Sequence, residues 1–294
     1  MSQVVKFYSE DLYLRVSAVK STDIVREISK VQKMGPLASL TCGRVITGAV
    51  LMAANMRDRQ SIGIHFKGDG ALGSIYAEAS FDGEARGWCD IPSADLPLKS
   101  GHFDIASAVG QGFIHIIRSQ PFEKAPHVSS VSIQSGLIGD DLAYYLHQSL
   151  QVPSIVALGG ITNEIGEVLE CGGVIIELMP GAPESLIDTL EKNVSQSKPF
   201  GSLLSGGLSI ADIVKNYLGN IKLIENFHEH EFSFRCKCSE SRVARSLTMI
   251  GREALDEMID ENKTFEITCE FCSKLYLIDV ETLKGIRAEL NVVN

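Results

Sequence analysis

Apolar residues return every three to four positions over residues 22–33, where Ile24, Val25, Ile28 and Val31 share one face of a predicted helix. Pro36 suits the first position of a second helix reaching Asn55. Its small residues, among them Ala38, Gly43, Gly48, Ala49 and Ala53, let other elements approach closely, so burial is expected. From Ile62 the period changes to two. Ile62, Ile64 and Phe66 alternate with Gly63, His65 and Lys67, and Gly68-Asp69-Gly70 supplies a turn. Residues 74–79 and 87–91 read as strands around the Asp82-Gly83 turn, and residues 113–118 and 128–134 extend the β pattern. A helix is predicted over 141–150 from the spacing of Leu142, Tyr145, Leu146 and Leu150, followed by buried strands over 155–158 and 174–179.

The texture changes near Pro180. Pro183 suits a first helical position, and Leu186, Ile187, Leu190 and Val194 recur at helical spacing. Residues 199–207 are rich in breakers. Ser209-Ile210-Ala211-Asp212 resembles a capping box that uses Asp, ahead of Ile213, Val214, Tyr217 and Leu218, with Gly219 as the stop. The expected organisation is an α+β chain: a mixed N-terminal domain with antiparallel-rich sheets over 1–179, a helical linker over 180–231, and a small C-terminal domain over 232–294.

Composition narrows the class. Of 294 residues, 45% are hydrophobic, enough for a sizeable core and against global disorder. No apolar run reaches the ~20 residues of a membrane span, and residues 45–56 are interrupted by Thr47, Gly48 and Asn55. The first residues lack the basic start and apolar run of a secretory signal, so a cytoplasmic protein without a membrane partner is expected. A net charge of -10 with scattered Lys and Arg disfavours nucleic-acid binding.

Cysteine usage carries the chemistry. Cys42, Cys89 and Cys171 are isolated and read as buried small hydrophobes. Cys236-Lys237-Cys238 and Cys269-Glu270-Phe271-Cys272 are instead two close pairs, the arrangement that offers zinc four soft ligands in a tetrahedron. Residues 264–268 and 274–278 are predicted strands flanking the second pair. Val243, Leu247, Ile250, Leu255 and Met258 suit one or two short helices broken at Gly251. A domain of ~60 residues has a marginal core, so one zinc ion at Cys236, Cys238, Cys269 and Cys272 would supply much of its stability. From spacing alone, an inert structural site is the first reading. His228 and His230 are alternative ligands, better read as part of a solvated linker end. A thioredoxin-like couple lacks its βαβ setting. Four cysteines leave no open position for metal-dependent catalysis. Each pair is also close enough in sequence to form a local disulfide, which would expel the metal.

Phe234-Arg235-Cys236-Lys237-Cys238-Ser239 with Arg242, and Cys269-Glu270-Phe271-Cys272 with Tyr276, resemble the redox-regulated holdase family known as the 33 kDa chaperonin. Gly43-Arg44, Gly68-Asp69-Gly70, Arg86-Gly87-Trp88, Ile91-Pro92, Gly139-Asp140-Asp141-Leu142, Val152-Pro153-Ser154 and Gly172-Gly173 resemble further family blocks in the family's order. The resemblance implies a chaperone with no catalytic residues, holding one zinc ion when reduced. Oxidation would join Cys236 to Cys238 and Cys269 to Cys272, release zinc, and unfold the small domain and linker. The active form would be a homodimer that binds unfolding proteins and passes them to ATP-dependent foldases. Two readings from other classes stand beside it: a zinc-ribbon protein associated with nucleic acid, and a thiol oxidoreductase.

Overall fold

The computed structural model describes residues 2–9 and 13–289. The chain opens with β1 (Ser2–Ser9) and β2 (Leu14–Lys20), followed by α1 (Thr22–Val31) and α2 (Pro36–Ala53). Three strands follow: β3 (Ser61–Gly68), β4 (Ser74–Ser80) and β5 (Glu84–Cys89). A short α3 (Ile105–Val109) leads to β6 (Gly112–Ser119), β7 (His127–Ser132) and α4 (Ile138–Leu150). The long hairpin β8 (Ser154–Thr162) and β9 (Val168–Leu178) precedes three helices, α5 (Glu184–Gln196), α6 (Phe200–Ser205) and α7 (Ile210–Leu218), and then β10 (Ile224–Phe234). The remainder holds α8 (Glu240–Thr248), α9 (Arg252–Asp260), β11 (Phe265–Thr268), β12 (Leu275–Ile278) and α10 (Val280–Glu289). Two compact units result, Met1–Arg235 and Cys236–Asn294.

In the first unit, strands run in the order β7-β6-β3-β4-β5-β10-β1-β2-β9-β8. Every pairing is antiparallel except the short parallel join of Ser233 and Phe234 to Glu84 and Ala85. Alternation sorts the side chains. Ile62, Ile64, Phe66, Ile75, Ala77, Ile114 and Ile116 face a core shared with α1, α2 and α4, while His65, Tyr76 and Trp88 form a half-exposed aromatic row on the other face. The β1-β2-β9-β8 part is buried on both faces. Val19 and Ile175 pack into that first core, whereas Val16, Ala18, Val174 and Ile176 face Leu190, Phe200, Ile213 and Tyr217. This explains the unbroken apolar run Val174-Ile175-Ile176.

The small-residue reading of α2 holds, and its reason is close approach. A Cβ on Gly48 would sit 2.5 Å from Leu142 Cδ1, and one on Gly43 would sit 2.8 Å from Val25 Cγ1. By length and hydropathy α2 could cross a membrane, yet 89% of it is buried within the unit, as expected of a core helix.

Several elements differ from expectation. Residues 224–234, expected to end the linker at 231 and open the C-terminal domain from 232, form strand β10 against β1, completing the sheet. The breaker-rich stretch contains α6, because Phe200, Leu203 and Leu204 bury against β8 and β9 and Gly201 lets the helix meet the backbone of Gly160. Pro183 caps α5 from just outside the helix. Ser209 caps α7 as read, its Oγ accepting the Asp212 amide at 3.1 Å, but the return contact of the box is to the hydroxyl, which donates to Asp212 Oδ2 at 2.6 Å. Gly219 ends α7 with φ +65°, a conformation that favours glycine.

Candidate metal centre

All four clustered cysteines lie in the second unit, and each sits at the end of a regular element. Cys236 and Cys238 lie in the extended segment before α8, whose first turn Ser239 caps by accepting the Arg242 amide at 3.3 Å. Cys269 and Cys272 occupy the tight turn between β11 and β12. The Cys269 amide donates to the Lys274 carbonyl and the Ser273 amide to the Cys269 carbonyl, both at 2.9 Å, while Ser273 adopts φ +55°. That turn brings both sulfurs to the same side of the hairpin.

The four sulfurs lie within 4.8 Å of one another. Cys236 Sγ is 3.6 Å from Cys269 Sγ, and Cys238 Sγ is 3.3 Å from Cys272 Sγ. Thiolates at ~2.3 Å from a tetrahedral ion stand about 3.8 Å apart, so this group could hold a metal ion with small adjustment. No fifth donor is needed. His230 belongs to the first unit, hydrogen-bonded to the Phe81 carbonyl and stacked on Phe232. The side chain of His228 lies outside the described residues.

The electrostatics of the four thiols differ. Burial pushes Cys236 and Cys272 up. Cys238 is pulled down to about 7, chiefly by the Tyr276 hydroxyl. That hydroxyl is buried with no partner meeting full hydrogen-bond geometry, so its contact with Cys238 is a loose one. The Cys238 sulfur, in turn, holds the phenol of Tyr276 in its protonated form. Cys238 therefore offers a thiolate more readily than Cys236 or Cys272.

Beneath the thiols lies a small core of Val243, Leu247, Leu255, Tyr276, Ile278, Leu283 and Ile286, with Cys238 and Cys269 packed at its edge. Ile250 stands 47% exposed at the turn between α8 and α9, away from this core. Leu283 and Ile286 come from α10, which sequence reading missed. Its cap is Asp279, whose carboxylate accepts the Thr282 amide at 2.8 Å, and an Asp followed by Leu283 and Ile286 at helical spacing is the signal that could have found it. The other three cysteines are buried in the first unit as read.

The family model for Hsp33 protein matches residues 2–279. The chain belongs to the Hsp33 family. A 33 kDa chaperonin from Synechococcus sp. (strain JA-3-3Ab) is 36% identical, over 95% of this chain and 87% of that one. The 33 kDa chaperonin of Thermodesulfovibrio yellowstonii is 34% identical over 99% of this chain and 100% of its own. The crystal structure of the Thermotoga maritima Hsp33 homologue superposes with a TM-score of 0.88 at 25% identity, covering 99% of both chains. The Hsp33 family is thus a chaperone family, and the α+β class with a C-terminal four-cysteine group is as expected.

Proposed function

We infer that this Hsp33 protein is a redox-regulated holdase. Reduced, Cys236, Cys238, Cys269 and Cys272 hold one zinc ion; oxidised, they release it and free apolar surface for unfolding proteins. The observation that carries the reading is the convergence of four sulfurs over a core of seven buried side chains among the described residues. Soft thiolates suit zinc, and a core that small leaves the metal as the main stabilising element.

With hydrogen peroxide as oxidant, one thiolate of each pair attacks the O–O bond to give a sulfenic acid and hydroxide. Its partner thiol then displaces water and closes the disulfide. Each disulfide removes two electrons and consumes one peroxide. Within the folded unit close sulfur contacts also run across the pairs, Cys236 to Cys269 at 3.6 Å and Cys238 to Cys272 at 3.3 Å. Cross-pair disulfides would staple the unit together. Once the metal leaves and the unit loosens, closure over one or two intervening residues is entropically easier than closure over more than thirty. The proposal is therefore Cys236–Cys238 and Cys269–Cys272. Mass-spectrometric mapping after peroxide treatment should find those two links together with zinc release and suppressed aggregation of a heat-unfolded client. Cross-pair links, or zinc loss without holdase activity, would defeat the reading.

The surface released is the face of β1, β2, β8 and β9 that α5, α6 and α7 cover. Leu190, fully buried on α5, tests that. Leu190→Ala should cost about 2–5 kcal/mol in urea unfolding and raise dye binding and holdase activity in the reduced protein. A stability loss without added apolar exposure would separate the linker helices from the client surface. The reading further includes an oxidised homodimer, client transfer to ATP-dependent foldases and a cytoplasmic location, where thiols stay reduced until stress. It assigns no catalytic turnover, nucleic acid or membrane.

A further inference from the structure

A cavity of about 350 Å³ lies in the first unit between α2, α4, β8 and the helices α5–α7. Its walls are mostly apolar, among them Val156, Leu158, Phe200 and Tyr217, but two cations border it: Arg44 from α2 and Lys198 from the segment joining α5 to α6. The Arg44 guanidinium makes no hydrogen bond or ion pair among the described residues, and its Nη1 is shut from solvent without a partner. Burial lowers its pKa by desolvation, and among the described residues the ionisable group acting on it is the Cys171 thiol, which burial keeps protonated. A cation in that position is uncompensated, and such charges are found paired or bound to a ligand.

A second feature points into the same space. Leu137, Ile138, Gly139 and Asp140, at the start of α4, line the cavity. No side chain caps this thirteen-residue helix, and the amides of Ile138, Gly139 and Asp140 have no acceptor among the described residues. A Cβ on Gly139 would come within 2.6 Å of the Val156 carbonyl, so glycine allows the helix start to press against the cavity wall. Free amides and the positive end of a helix dipole favour an anion. Asp140 opposes one; burial and the neighbouring Asp141 push its carboxyl above the usual range.

The geometry points to a binding site for a small molecule carrying one oxyanion, phosphate or carboxylate, on an apolar body: the anion would lie between Arg44, Lys198 and the α4 amides, and the body against Phe200 and Leu158. Because the walls come from both α2–α4 and the α5–α6 segment, an occupant would hold the linker helices to the sheet, through linkage. This goes beyond the redox reading and does not depend on it.

Titration calorimetry on the reduced, metal-loaded full chain tests the site, with phenyl phosphate, phenylacetate and the neutral benzyl alcohol as probes. At least one aryl anion should bind more tightly than benzyl alcohol, and the tighter of the two identifies the oxyanion. Arg44→Met should weaken binding at least about tenfold, since a charge-assisted hydrogen bond is lost. Lys198→Gln, at an exposed position that folding does not require, should weaken it roughly two- to fivefold. Asp140→Asn should tighten it by a similar factor through loss of like-charge repulsion. Bound probe should also protect residues 184–205 from limited proteolysis. No binding by either anion, equal binding of benzyl alcohol, or affinities unmoved by Lys198→Gln and Asp140→Asn in folded variants would overturn the proposal.

Discussion

Stripping the metal from the reduced chain with a strong chelator is expected to abolish hydrogen-exchange protection across α8, α9 and α10 while α2 keeps its own. Among its described residues the second unit has seven buried apolar side chains and one two-stranded sheet, and Ile250, Leu275 and Leu277 stay exposed. A structural zinc site supplies on the order of 10–16 kcal/mol of apparent folding free energy, far more than a core of this size. Cys272→Ala should act like the chelator, because it would remove one of the four proposed ligands and leave three thiolates repelling one another. The first unit has two extensive cores of its own and holds no clustered cysteine, so its thermal transition should remain. Protected amides in metal-free α8–α10 would show that the unit does not need its ion, and the switch would lose its physical basis.

Asp141→Leu should destabilise the first unit by roughly 5 kcal/mol, the largest effect expected there from one substitution. Asp141 is fully buried. Its Oδ1 accepts the amides of Gln134 and Ser135, and its Oδ2 accepts that of Gly136, all at 2.9 Å. Three amides would lose their acceptor, that of Gly136 in a buried bond and those of Gln134 and Ser135 in part-buried ones, each at about 1–3 kcal/mol. Leucine offers apolar contact in exchange but no acceptor. Set against a typical domain stability of about 5–15 kcal/mol, that is a substantial share. Calorimetry should show a fall of roughly 10 °C or more in Tm. Asp141→Asn should fall between, since its amide oxygen accepts but its NH2 faces donors. A loss below about 1 kcal/mol for Leu would mean the loop over 134–136 finds other acceptors.

The pattern made α1, α2, α4 and α7 legible because each carries an apolar face wide enough to read and a local start or stop: Pro36 for α2, Ser209 and Gly219 for α7. The strands β3, β4 and β6 were equally plain from alternation. The four-cysteine group was legible for a different reason. Metal ligation demands particular residue types at short spacing, so the chemistry is written locally even though the two halves are thirty residues apart. Elements whose reason is non-local were not read. The strand β10 exists because β1 and β5 each present an edge to it, and α6 forms because Phe200 and Leu203 find β8 and β9.

Residue types and spacing by themselves determined the fold class, the core-facing sides of the main helices and strands, and which four sulfurs gather. Only the tertiary structure decided that Cys238 faces Tyr276 and that Arg44 stands uncompensated beside an open helix start. Those are properties of partners brought together from far along the chain. Hydrogen bonds and charges take their strength from burial and distance, and neither quantity exists until the chain has packed.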